Sequence, residues 1–179
     1  MKSITSSTSG LIARVLGQTA FDCLPAPVQR VHGGHSLELR GTAVVERGRG
    51  LFNSLCALAS RLPKAQPSAP VCVRIQVDGE QELWERRFAN SLMKSRLSQH
   101  AALLREKLGL LCFDFKLISD HTGFTWQVQR VSVLGLPLPA RLFGGVFARS
   151  FARDGVYQFE VSARMPLVGL LVAYRGCLH

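Results

Sequence analysis

The stretch Val71-Cys-Val-Arg-Ile-Gln-Val-Asp-Gly-Glu-Gln-Glu-Leu-Trp-Glu-Arg-Arg-Phe88 decides the fold of this 179-residue chain. Apolar and polar residues alternate in its first half and again in its second half, where Trp84, Arg86 and Phe88 share one face. A period of two is typical of a half-buried β-strand. The Asp-Gly dipeptide between the halves favours a type I′ turn, because both central positions of that turn need positive φ. The stretch therefore predicts an antiparallel hairpin.

The same alternation recurs on both sides of this hairpin. Further segments with a period of two are residues 36–46, 111–117, 124–133, 147–163 and 168–174. Residues 91–108 fit either strand or helix, and the hairpin spacing around them favours strands. Strands joined by such short turns cannot form a parallel sheet, which needs long crossovers. The sequence predicts an α+β fold, mainly antiparallel β, with one strongly curved sheet or barrel of about nine to ten strands.

Two or three N-terminal helices are expected to cover this sheet. Apolar residues recur at steps of three and four from Leu11 to Cys23, and again from Leu51 to Leu62. A short helical turn follows Pro27, and the proline-containing segment from Lys64 to Pro70 is predicted to be a surface loop. We expect residues 1–10 to be a disordered tail and residues 11–179 to be a single domain. A helix-grip fold is less consistent, because such folds usually end in a long helix.

Two arginines lie in phase with large apolar residues. Arg86 follows Trp84, and Arg130 follows Trp126, although the apolar phase slips near Arg130 and predicts a β-bulge there. A buried arginine is costly unless an acidic side chain or a bound anion pairs with it. Both arginines are therefore candidate ligand-binding residues if they point inward. The few acidic residues on the strands, among them Glu106, are expected to be solvated.

The net charge of +10 does not predict a specific nucleic-acid partner, because the arginines are spread singly along the chain. No stretch has the ~18 uncharged apolar residues of a membrane-spanning helix. The five cysteines are widely spaced and lack a CxxC pair, which favours free thiols and a cytoplasmic location.

The sequence predicts no metal, cofactor or catalytic residue. His32 and His35 are three residues apart, but nothing nominates a third metal ligand. The glycines around Gly48-Arg-Gly50 match neither spacing of the nucleotide-binding loops. There is no GxSxG nucleophile elbow and no cysteine in a recognisable nucleophile context.

Five segments taken together resemble a known family. They are Leu24–His32, Val45–Leu51, Trp84–Phe88, Leu134–Pro139 and Pro166–Gly176. In this order they are similar to a bacterial family of domains of unknown function, number 4166, over nearly the whole chain. The resemblance implies no known activity, so no catalytic residue is carried over. It also implies relatives that occur alone or fused behind Rossmann-type, NAD-binding dehydrogenase-like domains.

Three functions follow from these observations. The first is a binding module whose concave apolar face accepts a small hydrophobic or acyl-type ligand, with arginine meeting an anionic head group. The second is an accessory domain that docks on a dehydrogenase-like partner through the N-terminal amphipathic helix. The third, which the sequence favours least, is an enzyme acting on a small anionic substrate through His32, Glu46 and Arg47. The candidate ligand-binding residues are His32, Glu46, Arg47, Trp84, Arg86, Trp126, Arg130, Tyr174 and Arg175.

Overall fold

The computed structural model describes residues 9–48, 64–89, 91–166 and 169–179. Within these residues, three short helices precede the strands: α1 (Leu11–Leu16), α2 (Gln18–Asp22) and α3 (Ala26–His32). The single helix expected from Leu11 to Cys23 is divided at Gly17, whose φ of 89° no helix accommodates. The helix expected over Leu51–Leu62 and most of the expected tail lie outside the described residues. None of the described helices is long and apolar enough to cross a membrane.

The strands form one closed antiparallel barrel. Their bounds are β1 Leu37–Arg47, β2 Gln66–Asp78, β3 Gln81–Phe88, β4 Ser91–His100, β5 Leu103–Leu108, β6 Leu111–Ser119, β7 Gly123–Val133, β8 Leu136–Leu138, β9 Gly145–Arg153, β10 Val156–Met165 and β11 Gly169–Leu178. The order β6-β5-β4-β3-β2-β1-β11-β10-β9-β7 closes on itself because β6 also pairs with β7. The short strand β8 pairs with β7 outside this ring. The predicted fold class is confirmed, and the ambiguous residues 91–108 form strands β4 and β5.

The register of the deciding hairpin sets which of its side chains point inward. Trp84, Arg86 and Phe88 of β3 lie opposite Ile75, Val73 and Val71 of β2, respectively. All three β2 residues are buried, so this face of the hairpin forms the inner wall. Strand β2 also begins earlier than expected, at Gln66, and the predicted surface loop from Lys64 to Pro70 is wrong for most of its length. Ala69 is fully buried, because it pairs with Ala43 of β1 inside the barrel.

The turn of this hairpin is shifted by one residue from the prediction. Asp78 pairs with Gln81, so the two central residues are Gly79 and Glu80 rather than Asp78 and Gly79. Of these, only Gly79 has a positive φ, of 60°, which is the pattern of a type II′ turn. The second Asp-Gly turn behaves as its sequence predicts: Asp154 and Gly155 have φ values of 53° and 75°.

A β-bulge in β7 reverses the phase of that strand. Arg130 pairs with Asp114 and Val128 pairs with Phe115, so Gln129 is the extra residue. Trp126 before the bulge and Val131 after it are both buried. The predicted bulge is confirmed, and its consequence is that Arg130 lies exposed on the outer surface. The alternative that placed Arg130 inside the barrel is wrong.

The helices close one end of the barrel. Leu11, Ile12 and Ala13 of α1 are buried, and α1 contacts β4, β5 and β6. Helix α3 buries Val28 and His32, and it contacts β9 and β10. The apolar faces of both helices are therefore used against the same end of the barrel.

Candidate functional site

The barrel encloses a cavity of about 440 Å³ that reaches the surface. Its wall is made almost entirely of apolar side chains from β2 to β11. At the end opposite the helices it is bordered by Leu110, which is 53 % exposed. The carbonyl of Leu110 accepts a hydrogen bond from the amide of Leu134, and Leu134 and Leu136 are also largely exposed. The volume of the cavity is in the range of small-molecule sites, about 300–1,000 Å³.

A buried ion pair lies in the wall of this cavity. Nη1 of Arg86 donates to Oε1 of Glu106 at 3.1 Å and to Oγ of Ser95 at 2.9 Å. The side chains of Arg86 and Glu106 are each only 12 % exposed. The three residues come from neighbouring strands β3, β4 and β5, where alternation turns each of them inward. Burial acts to lower the pKa of Arg86, but Glu106, together with Tyr174 and Tyr157, acts in the opposite direction and the pKa is raised.

The guanidinium of Arg86 also lies over an aromatic ring. Its Cζ atom is 4.8 Å from the centroid of Trp84, a cation–π distance. Nε1 of Trp84 donates to Oε2 of Glu82 at 2.8 Å, which holds the indole in place. Burial raises the pKa of Glu82 although this hydrogen bond acts in the opposite direction. Trp84 and Arg86 are thus held rigidly side by side on the cavity wall.

An aromatic layer lies beneath the cavity, next to the helices. The ring of His32 stacks on Trp84 at 5.6 Å and meets the edge of Phe124 at 5.0 Å. The hydroxyl of Tyr157 donates to Oγ of Ser150 at 3.0 Å and lies 3.1 Å from Nε2 of His32. The contact between Tyr157 and His32 is a hydrogen bond between two buried side chains. Burial, aided by Arg86, lowers the pKa of His32 to about 3, so the ring is neutral.

Tyr174 of β11 adds a further polar group to the cavity wall. Its ring meets Phe88 at 5.1 Å and Phe159 at 6.1 Å. Burial raises the pKa of Tyr174 to about 12, so its hydroxyl is protonated and can donate. No hydrogen bond of this hydroxyl is found among the described residues. The cavity therefore offers the Arg86 guanidinium and the Tyr174 phenol as donors on walls that are mostly apolar.

Sequence comparison assigns this barrel to a family. The family model described as "Domain of unknown function (DUF4166)" matches residues 24–178. The chain belongs to this family. The match spans α3 and all eleven described strands, whereas α1 and α2 precede it. No curated protein and no solved structure matches the chain.

The DUF4166 barrel brings together some of the sequence-predicted site residues and separates others. Trp84, Arg86, Trp126 and Tyr174 line the cavity. His32 is buried in the aromatic layer under the cavity, while His35 is exposed.

The remaining candidates lie away from the cavity. Arg130 is on the outer surface because of the bulge. Glu46 and Arg175 form a 3.9 Å ion pair in which both side chains are more than half exposed. Arg47 ends β1 and is not part of the cavity wall. Glu46 and Arg175 point away from the cavity, because side chains alternate along a strand and their neighbours Val45 and Tyr174 point inward. Arg47 lies opposite Val172, a residue of the cavity wall, at the end of β1.

The partner of Arg86 was missed by sequence reasoning. Glu106 was expected to be solvated, but it is buried against Arg86. A signal was present, since Leu104, Glu106 and Leu108 share one face while Arg105 and Lys107 share the other. Assigning residues 103–108 firmly to a strand would have placed Glu106 on the inner wall.

Proposed function

We propose that this DUF4166 domain binds a small amphiphilic molecule, with its acyl-type chain in the barrel and its polar group near Arg86. The observation that carries the proposal is the cavity of about 440 Å³, apolar along its walls and bordered by the exposed Leu110. Protein interiors are close-packed and contain few voids larger than one water molecule. A space of this size inside the barrel therefore supports a container rather than a filled core.

The geometry supports the other two functions less well. His32 ends α3 and is buried at the end of the barrel that the helices close. Glu46 is nine residues beyond Leu37 on β1, so it lies about 30 Å from Leu37 along the strand, towards the opposite end. His32, Glu46 and Arg47 therefore do not form one catalytic group. The apolar stripe of α1 packs on its own barrel, with Ile12 fully buried. A dehydrogenase-like partner would have to dock on another surface of the domain.

Energy transfer from tryptophan tests the proposal directly. The chain has two tryptophans, Trp84 and Trp126, and both line the cavity. Methyl parinarate, a fluorescent polyene ester that absorbs tryptophan emission, should show saturable energy transfer on titration into the protein. Dodecanamide, which does not absorb in this range, should displace it. Absence of saturable transfer, in protein shown to be folded by circular dichroism, would refute ligand binding in the barrel.

A filled cavity provides the matched control. Ala148 lines the cavity, and Ala148→Phe places a ring in that space. Ala102 is exposed in the turn between β4 and β5, so Ala102→Phe makes the same chemical change on the outside. We expect Ala148→Phe to weaken polyene binding by about tenfold or more, a loss of at least about 1.4 kcal/mol, and Ala102→Phe to leave it unchanged. Equal effects of the two substitutions would place the ligand on the surface instead.

A further inference from the structure

The charge of Arg86 is already compensated inside the barrel. Glu106 lies 3.1 Å from the guanidinium, and both side chains are almost fully removed from solvent. The other charged residue in the cavity wall is Arg149, whose Nη2 donates to Asp120 at 2.9 Å at the exposed surface. Within the described part of the chain, Arg86 is therefore neutralised by Glu106 in the cavity wall, and Arg149 is neutralised by Asp120 outside it.

Arg86 still has N–H donors free for a ligand, although Glu106 compensates its charge. All hydrogen bonds of Arg86 within the described residues come from Nη1, which serves Ser95 and Glu106. The N–H groups on Nε and Nη2 are not used in these bonds, and the Tyr174 hydroxyl can donate as well. A carbonyl or hydroxyl oxygen of a ligand can accept from these donors without separating Arg86 from Glu106.

A charged head group would meet different conditions. A carboxylate bound beside Arg86 would bring a second anion next to Glu106 and leave a net negative charge in apolar surroundings. An alkyl ammonium would leave a net positive charge beside Arg86. An unpaired charge in a low-dielectric site is costly, whereas an uncharged polar group is stabilised by hydrogen bonds alone.

We propose that the ligand of this barrel carries an uncharged polar head, a carbonyl or hydroxyl group, and that Glu106 is the residue that excludes carboxylates. The inference rests on the proposed function, because it names the ligand class of the same cavity. It replaces the expectation that arginine meets an anionic head. The physical reason is that Arg86 has its counter-ion within the protein.

Three ligands with the same chain test this inference. Dodecanamide, dodecanoate and dodecylamine differ in the charge of the head group, and the amide is nearly the same size as the carboxylate. Isothermal titration calorimetry of the wild-type protein at pH 8, below the critical micelle concentrations, should give an amide affinity at least about tenfold above the other two. A tighter carboxylate would show that Arg86 acts as an anion receptor, and a tighter amine that Glu106 acts as a cation receptor. Either result overturns the inference and leaves the proposed function standing, whereas no binding of any ligand refutes both.

Glu106→Gln tests the assigned role of the carboxylate. This variant leaves the Arg86 charge uncompensated, so dodecanoate should gain at least about tenfold relative to dodecanamide. Glu85→Gln is the matched control, because Glu85 pairs with the exposed Lys94 on the outer side of the neighbouring strands. It removes the same formal charge and should leave the ratio unchanged. An unchanged ratio in Glu106→Gln would overturn the role of Glu106, and the wild-type comparison decides the head-group charge even if that variant does not fold.

Discussion

Removing the carboxylate of Glu106 should destabilise the barrel strongly. In Glu106→Gln the guanidinium of Arg86 keeps Ser95 as a neutral partner but loses its counter-ion. Breaking a buried ion pair by removing one partner typically costs about 3–5 kcal/mol. Since each side chain is still 12 % exposed beside the cavity, we expect the lower end of this range, about 3 kcal/mol. The reciprocal variant Arg86→Gln should cost a similar amount.

Urea denaturation followed by tryptophan fluorescence measures this loss. With a slope of about 2 kcal/mol per molar urea, a change of about 3 kcal/mol lowers the midpoint by about 1.5 M. In a chain of this length the same change lowers Tm by about 6–12 °C. The double variant Arg86→Gln/Glu106→Gln has no unpaired charge, so it should be about 2 kcal/mol more stable than the sum of the two single losses predicts.

Glu85→Gln provides the comparison within the same sheet. Its partner Lys94 is 59 % exposed, and removal of such a surface pair typically costs at most about 1 kcal/mol. The reasoning is refuted if Glu106→Gln costs no more than Glu85→Gln and the two substitutions at Arg86 and Glu106 are additive. That result would mean that solvent in the cavity screens the pair as fully as at the surface.

Two further predictions concern the end of the barrel that the helices close. Burial holds the pKa of His32 near 3 rather than 6.5. Between these pH values the unfolded chain therefore binds a proton on this ring and the folded chain does not. Above pH 6.5, His32 should therefore cause no change in the free energy of unfolding with pH. As the pH drops from 6.5 towards 3, His32 should lower the free energy of unfolding by at most about 1.4 kcal/mol per pH unit. Urea denaturation between pH 7 and pH 4 measures the slope of the free energy of unfolding against pH. This slope should be flatter in His32→Gln and unchanged in His35→Gln, because His35 is exposed. Equal slopes in the wild-type protein and both variants would contradict a buried neutral ring at His32. Ile12→Ala, at a fully buried position of α1, should cost about 2–5 kcal/mol in the same assay, and an unchanged stability would mean that α1 is free to dock elsewhere.

Local sequence signals were sufficient wherever neighbouring residues decide the conformation. The period of two identified the strands, and the phase slip near Arg130 located the bulge in β7. The Asp-Gly dipeptides located two hairpins, although the turn of one of them is shifted by a residue. Helical spacing could not reveal the break at Gly17, because the apolar period continues across it.

The inner wall was harder to predict than the strands themselves. Residues 91–108 carry a weak alternation, so their strand character depended on the neighbouring hairpins. The position of Glu106 on the inner wall follows from that assignment alone, and without it a glutamate on a short polar segment indicates a solvated surface. For this reason the sequence could predict that a buried Arg86 needs a counter-ion, but not that Glu106 supplies it.

The sequence by itself determined that this chain forms antiparallel strands with one apolar face, because side-chain alternation and turn geometry act over a few residues. Only the tertiary structure decided that the sheet closes through β6 and β7, which leaves a cavity rather than a filled core. It also decided that Arg86 meets Glu106, twenty positions away on a strand that is not its direct neighbour. The physical reason is that ion pairing and cavity volume depend on distances across the barrel, which the curvature of the whole sheet sets.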